Sequence, residues 1–177
     1  MFALGGKLFH EDEHVKIGEQ LARGCSYAYE VFPTGIMPEI SAVIPCKKTA
    51  DLAQCKWNET VWRERNPSLG DAGAVPLPKP FSVMRDQQYL LRPEAIESIF
   101  ILYRITGKAD LLDVAWHMFQ SIRKATETKY AFSAIADVQD EGFTTKIDAM
   151  EVSLSCFFLG ATSGETYANN MAELLDC

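Results

Sequence analysis

The stretch "LRPEAIESIFILYRITGKADLLDVAWHMFQSIRK" constrains the fold most, because it contains a helix start, a helix stop and a second start within 34 residues. Pro93 suits the first position of a helix, where its missing N–H leaves nothing unsatisfied. Ile96, Ile99, Phe100 and Tyr103 then recur at three- and four-residue spacing, and Gly107 supplies a stop. The pattern predicts a helix over residues 93–106. After a short link it predicts another over 110–124, with Leu112, Ala115, Trp116, Phe119 and Ile122 on one face. Such a link returns the second helix against the first. An earlier helix is expected over residues 12–32, where Val15, Gly18, Leu21, Ala22, Cys25, Ala28 and Phe32 share a face. Glu11, Asp12 and Glu13 suit the positive end of its dipole, and Pro33, Gly35 and Pro38 in "FPTGIMPE" end it. Paired helices of this kind make the chain mainly α, either a bundle or an α/α toroid, and no exact repeat chooses between them.

Two regions break the helical rhythm. Residues 41–81 carry little periodicity, and "NPSLGDAGAVPLPKPF" holds four of the eight prolines. This segment reads as a long irregular excursion loop with at most a short strand, and loops of this length in compact domains are often functional. "YAFSAIADV" alternates weakly and is expected to form a short strand or one arm of a β-hairpin. Another helix is expected to begin at Asp148.

The composition narrows the function classes. A formal net charge of -7 and a pI near 5.0 exclude the basic face that a nucleic-acid binder needs. No apolar run reaches the roughly 20 residues that span a bilayer, so no transmembrane segment is expected. "MFALGGKLFHEDEH" has neither the basic start nor the apolar length of a secretory signal. Five cysteines leave at least one thiol without a partner in the chain. Cys46 and Cys55 flank "CKKTADLAQC"; they are either scattered thiols or a local disulfide of a secretory-pathway protein. The three histidines lie far from this pair in sequence, which does not support a zinc site. Asn58-Glu59-Thr60 is a glycosylation acceptor triplet, and beside the cysteines it tilts the compartment toward the secretory route.

The candidate site is "RPEAIES". Glu94 falls in the first turn of its helix, where the dipole favours an ionised carboxylate, and Arg92 adds to that bias. A carboxylate kept deprotonated suits a general base or a cation ligand. Glu97, three residues on, shares its side of the helix and is expected among Ile96, Ile99 and Phe100 on a core-like face. The alternative at this level is a helix start that carries acids for dipole reasons alone.

"YLLRPEAIESIFILYRITG" closely resembles the Arg-Pro-Glu-x-x-Glu-Ser segment of class I α-1,2-mannosidases, glycoside hydrolase family 47. "MFALGGKLF" is similar to that family's Gly-Gly segment, "CSYAYEVFPTGIMPE" to its Cys-x-x-x-Tyr…Thr-Gly-x-x-Pro-Glu segment, and "AIADVQDEGFTTKIDAME" to its next block. The "CKW" at Cys55 looks like the fungal branch. The resemblance runs over residues 1–151. It implies a partial (α/α)7 toroid and an inverting hydrolase that trims α-1,2-linked mannose from high-mannose N-glycans with bound Ca2+. It also implies a place in the endoplasmic reticulum, the Golgi or outside the cell.

By motif position, Glu94 would be the general base, and Arg92, Glu97, Glu39 and Glu151 would bind the sugar. Glu94, Glu97 and Glu151 would also hold calcium through waters. The threonine that binds calcium directly in the family has no counterpart, nor has the family's acidic catalyst from an earlier barrel segment. The cysteine that pairs with the counterpart of Cys25 would lie before Met1. After Glu151 the sequence "VSLSCFFLGATSGETYANNMAELLDC" departs from the family, so residues 152–177 are expected to be an aberrant tail, an insertion or a translated intron. The chain is therefore expected to need the missing barrel segments for activity. The competing reading is a non-catalytic, mannosidase-like glycan-binding protein of glycoprotein quality control.

Overall fold

The computed structural model describes residues 1–45, 56–66, 69, 75–142 and 145–149. Among them, five helices carry the fold: α1 (Phe2–Phe9), α2 (Asp12–Val31), α3 (Glu59–Arg65), α4 (Glu94–Thr106) and α5 (Asp110–Thr126). Four strands make two small antiparallel sheets. β1 (Ile40–Val43) pairs with β2 (Phe81–Asp86), and β3 (Ala134–Ile135) with β4 (Lys146–Ile147). The weak alternation in "YAFSAIADV" thus becomes the expected hairpin arm.

α4 and α5 follow their sequence signals closely. Gly107 caps α4 in the left-handed conformation, with φ 70° and its N–H donating to the Tyr103 carbonyl. Ile96, Ile99 and Leu102 of α4 are buried, as are Leu111, Ala115, Met118, Phe119 and Ile122 of α5. The α5 stripe therefore enters the core through Leu111 rather than the half-buried Leu112, and the helix runs two residues past Lys124. Pro93 is the residue before α4, with φ -89° and ψ 4°, so Glu94 rather than Pro93 takes the first helical position.

The helix expected over residues 12–32 forms as α2, Asp12–Val31; the remaining helices correct the sequence reading. α1 was not expected; it contains Gly5 and Gly6. The two are not equivalent. A Cβ on Gly6 would lie 2.8 Å from the Glu11 carbonyl oxygen, and one on Gly18 would lie 2.6 Å from the Ala3 nitrogen. These two glycines let α1 and α2 cross with their backbones nearly touching, whereas a Cβ on Gly5 would meet nothing within 4 Å. On α2, Leu21 is 57% exposed, and the buried face is Ala22, Ala28 and Tyr29, continued by Phe32.

The described residues of the excursion loop depart from the expectation of at most a short strand. They include α3, capped by the Asn58 side chain, which accepts from the Val61 N–H at 3.1 Å. Trp62 is buried and donates its indole N–H to the Phe81 carbonyl at 2.8 Å. Phe81 in turn packs on Phe32 with ring centroids 5.0 Å apart. α3 is thereby tied through β2 to the end of α2.

Crossed ion pairs hold α2 to the α4–α5 link. Glu19 accepts from Lys108 Nζ at 2.6 Å and from Arg23 Nε at 3.0 Å, and Arg23 also reaches Asp110 at 2.8 Å. The two cations hold the Glu19 carboxyl below its usual range, Lys108 most strongly.

The glycine contacts give a paired expectation. Gly18→Ala should destabilise the chain by about 1–3 kcal/mol, because the added methyl meets backbone that cannot move aside. Gly5→Ala should be neutral or gain up to about 1 kcal/mol, since alanine is the better helix former. Urea unfolding followed by circular dichroism measures both. Equal effects at the two positions would contradict the close crossing.

Candidate functional site

Three segments distant in sequence converge at the start of α4. Glu39 stands just before β1, whose first residue Ile40 is paired with Asp86. The pairing continues beyond the strands, since the Glu39 N–H donates to the Gln88 carbonyl at 3.0 Å. Tyr89 then turns to the third segment and exchanges two backbone hydrogen bonds with Ile135, both at 3.0 Å. Val138 donates to the Gln87 carbonyl at 2.9 Å, and its own carbonyl accepts the Thr34 hydroxyl at 2.7 Å. "FPTGIMPE", "QQYLLRPE" and "SAIADV" are thus laced together by main-chain bonds.

The lacing aims Arg92 and Glu94. Leu91, with no exposed surface, is held at φ 63°. That conformation costs a non-glycine residue about 1–3 kcal/mol and persists only where the surroundings enforce it. Glu39 is part of that enforcement. Its side chain is only 9% exposed, and one carboxylate oxygen accepts the Leu90 N–H at 2.7 Å while the other lies 3.5 Å from Arg92 Nη1. Arg92, expected from the sequence to bias Glu94, forms an ion pair with Glu39.

Beneath the turn lie two buried phenols, Tyr29 of α2 and Tyr89. The Tyr89 hydroxyl donates to the Arg92 carbonyl at 3.4 Å. Burial, chiefly, and the nearby Glu39 and Glu94 charges push both phenols well above the usual tyrosine range. They remain neutral donors at the edge of a carboxylate cluster. The sequence reading gave neither a role, although Tyr29 lies within the quoted "CSYAYEVF" and Tyr89 opens "YLLRPE".

Glu94 and Glu97 occupy the first turn of α4 and are both exposed. The expectation that Glu97 lies on a core-like face is therefore corrected: Ile96 and Ile99 take the core, and Glu97 sits on the open side with Glu94. The pair can present oxygens to water, a hydroxyl or a hydrated cation. The described residues contain no group of three histidine, cysteine, aspartate or glutamate side chains able to hold a metal. Direct coordination of calcium by these residues alone does not fit; contact through waters is the fit the exposed carboxylates allow. Glu151, Cys46, Cys55 and residues 152–177 lie outside the described residues. So does nearly all of the helix expected from Asp148. Cys25 is a free thiol, half-buried on α2.

Comparison with known proteins gives one consistent answer. Residues 1–163 match the family described as Glycosyl hydrolase family 47. The mannosyl-oligosaccharide 1,2-alpha-mannosidase MNS3 of Arabidopsis thaliana is 33% identical over 160 residues, covering 87% of this chain and 22% of that protein. A mannosyl-oligosaccharide alpha-1,2-mannosidase of Coccidioides posadasii is 30% identical over 150 residues, covering 85% of this chain and 25% of that protein. Among solved structures, the alpha-1,2-mannosidase from Trichoderma reesei superposes with a TM-score of 0.63 at 29% identity, covering 85% of this chain and 28% of that one. The chain spans about a quarter of the length of the relatives it matches.

The buried phenols give a pH expectation. In the unfolded chain tyrosine ionises near about pH 10, whereas in the fold Tyr29 and Tyr89 resist ionisation. Their contribution to stability is thus complete below about pH 10 and is lost as pH rises toward the raised folded values. Ultraviolet titration should find these two tyrosines ionising only as alkaline unfolding proceeds. All six tyrosines titrating in one step, with the circular dichroism unchanged, would contradict the buried pair.

Proposed function

The chain belongs to glycosyl hydrolase family 47, and on that footing we propose that it is the part of an inverting α-1,2-mannosidase that supplies the general base. The observation that carries this reading is the contrast among the carboxylates at one turn. Glu39 is nearly buried and already engaged by Leu90 and Arg92, while Glu94 and Glu97 are exposed on α4. The division separates a group that builds the site from groups that meet the substrate.

In this proposal Glu94 takes a proton from a water molecule. The water oxygen attacks the anomeric carbon of a terminal mannose, on the face opposite the departing oxygen. Glu94 stands in the first turn of α4, near the positive end of the helix dipole. The leaving oxygen takes its proton from an acid on another barrel segment, about 6.5–9.5 Å from the base so that a water fits between. Glu97 and Arg92 orient sugar hydroxyls, and Glu39 holds Arg92 and the turn in place. Ca2+, held through waters by Glu94, Glu97 and Glu151, would offset the repulsion between these acids and order the hydroxyls beside them.

The substrate class follows the relatives' names, which specify mannosyl-oligosaccharides and the α-1,2 linkage. High-mannose N-glycans in the secretory pathway are the proposed setting. No helix among the described residues is long and apolar enough to cross a membrane. Because this chain covers about a quarter of its relatives, turnover belongs to a complete (α/α)7 barrel and not to these 177 residues alone. The relatives are named as hydrolases, which favours the enzyme over a non-catalytic glycan binder.

A chimera tests the proposal: residues 1–163 replace the matching segment of the Trichoderma reesei enzyme. Mannose release from a high-mannose glycan should appear and should fall on calcium chelation. Glu94→Gln should lower it by about 10²–10⁴-fold with an unchanged circular dichroism spectrum. A folded chimera in which Glu94→Gln leaves the rate unaltered would remove Glu94 from the role of base.

A further inference from the structure

We infer that Asn58 is an N-glycan attachment site, at which the linkage leaves the cap of α3 intact and sets the first sugar beside Trp57. The inference rests on the secretory-pathway reading above, and extends it to a modification of this chain itself. Asn58-Glu59-Thr60 is an acceptor triplet, and both Asn58 and Thr60 are exposed. Asn66-Pro67-Ser68 has a superficially similar pattern, but it carries proline at the middle position and its asparagine is only 2% exposed. It serves as an internal contrast.

The geometry divides the two ends of the Asn58 amide between two tasks. Oδ1 accepts the Val61 N–H at 3.1 Å and caps the helix. That bond uses the oxygen only and leaves Nδ2 for the sugar. In the linkage, Nδ2 attacks the anomeric carbon of an oligosaccharide carried on a lipid pyrophosphate. The C–N bond forms as the C–O bond to the pyrophosphate breaks. The electron pair leaves with the pyrophosphate, and one amide proton is lost to base. The product is still an amide whose oxygen accepts a hydrogen bond, so the cap survives modification.

The neighbourhood suits a sugar. Trp57 is 49% exposed and is fixed rather than loose. Its indole N–H donates to Glu59 at 3.1 Å, and its ring lies 6.1 Å from that of Trp62. Lys79 anchors the same corner by an ion pair to Glu59 at 2.7 Å and lies 5.3 Å from the Trp62 ring. An ordered, half-exposed aromatic one residue before the acceptor offers a surface for the apolar face of an N-acetylglucosamine.

The test is expression of the full chain behind a cleavable secretion signal, which delivers it to the lumen whatever its native route. Digestion with a peptide N-glycosidase should collapse one slower-migrating band and convert Asn58 to aspartate, read by peptide mass. Thr60→Ala should abolish the slower band while keeping the Asn58 cap, and Asn58→Asp should abolish it while keeping a capping oxygen. Both variants should retain the helical circular dichroism of the unmodified chain. Luminal protein with Asn58 unmodified, or a glycan that persists in Thr60→Ala, would overturn the assignment. Neither result bears on Glu94, so failure here is separable from failure of the proposed hydrolase.

Discussion

Glu39 is the group on which the arrangement at the start of α4 depends. Its nearly buried carboxylate spans from the Leu90 N–H to the Arg92 guanidinium. It joins the segment after α2 to the segment before α4 across 51 positions of sequence. A buried anion is costly unless hydrogen-bonded and paired, and this one is both. The strained Leu91 backbone, with φ 63°, lies between its two partners. The exchange between Tyr89 and Ile135 clamps the same turn from the other side. Together these contacts fix where Arg92 and Glu94 begin.

The two phenols form the next layer down. Tyr29 and Tyr89 are buried against the same turn, and the Glu39 and Glu94 charges act on both. The Tyr89 hydroxyl donates to the Arg92 carbonyl at 3.4 Å, which ties this layer to the turn above it. Above this layer, Glu94 and Glu97 remain open to solvent. One acid organises the turn and two stay accessible, a distribution that suits a site where water must be activated next to a sugar.

The sequence made some of this legible and concealed the rest for physical reasons. Helices α4 and α5 carry local signals: apolar spacing, the Gly107 stop and acids in their first turns. Such signals need no knowledge of the rest of the chain. α1 was hidden because Gly6 is required by its contact with α2, a tertiary demand that resembles flexibility in one dimension. α3 is only seven residues long, too short for periodicity, and its cap was visible only as an acceptor triplet. Arg92, Glu94, Glu97 and Glu39 were found as family motifs. That Glu39 meets Arg92 could not be read from their spacing, because the pair is made by folding a distant loop onto the turn.

The claim that most needs measurement is that Glu94 acts by activating water rather than by attacking the sugar itself. Proton NMR can follow the anomer released first from an α-1,2-linked mannoside by a complete barrel carrying residues 1–163. Attack by a base-activated water inverts the centre, so β-mannose should appear first and then equilibrate toward the α form. First release of α-mannose would require a covalent intermediate and carboxylates only about 5–5.5 Å apart, and it would contradict the role given to Glu94.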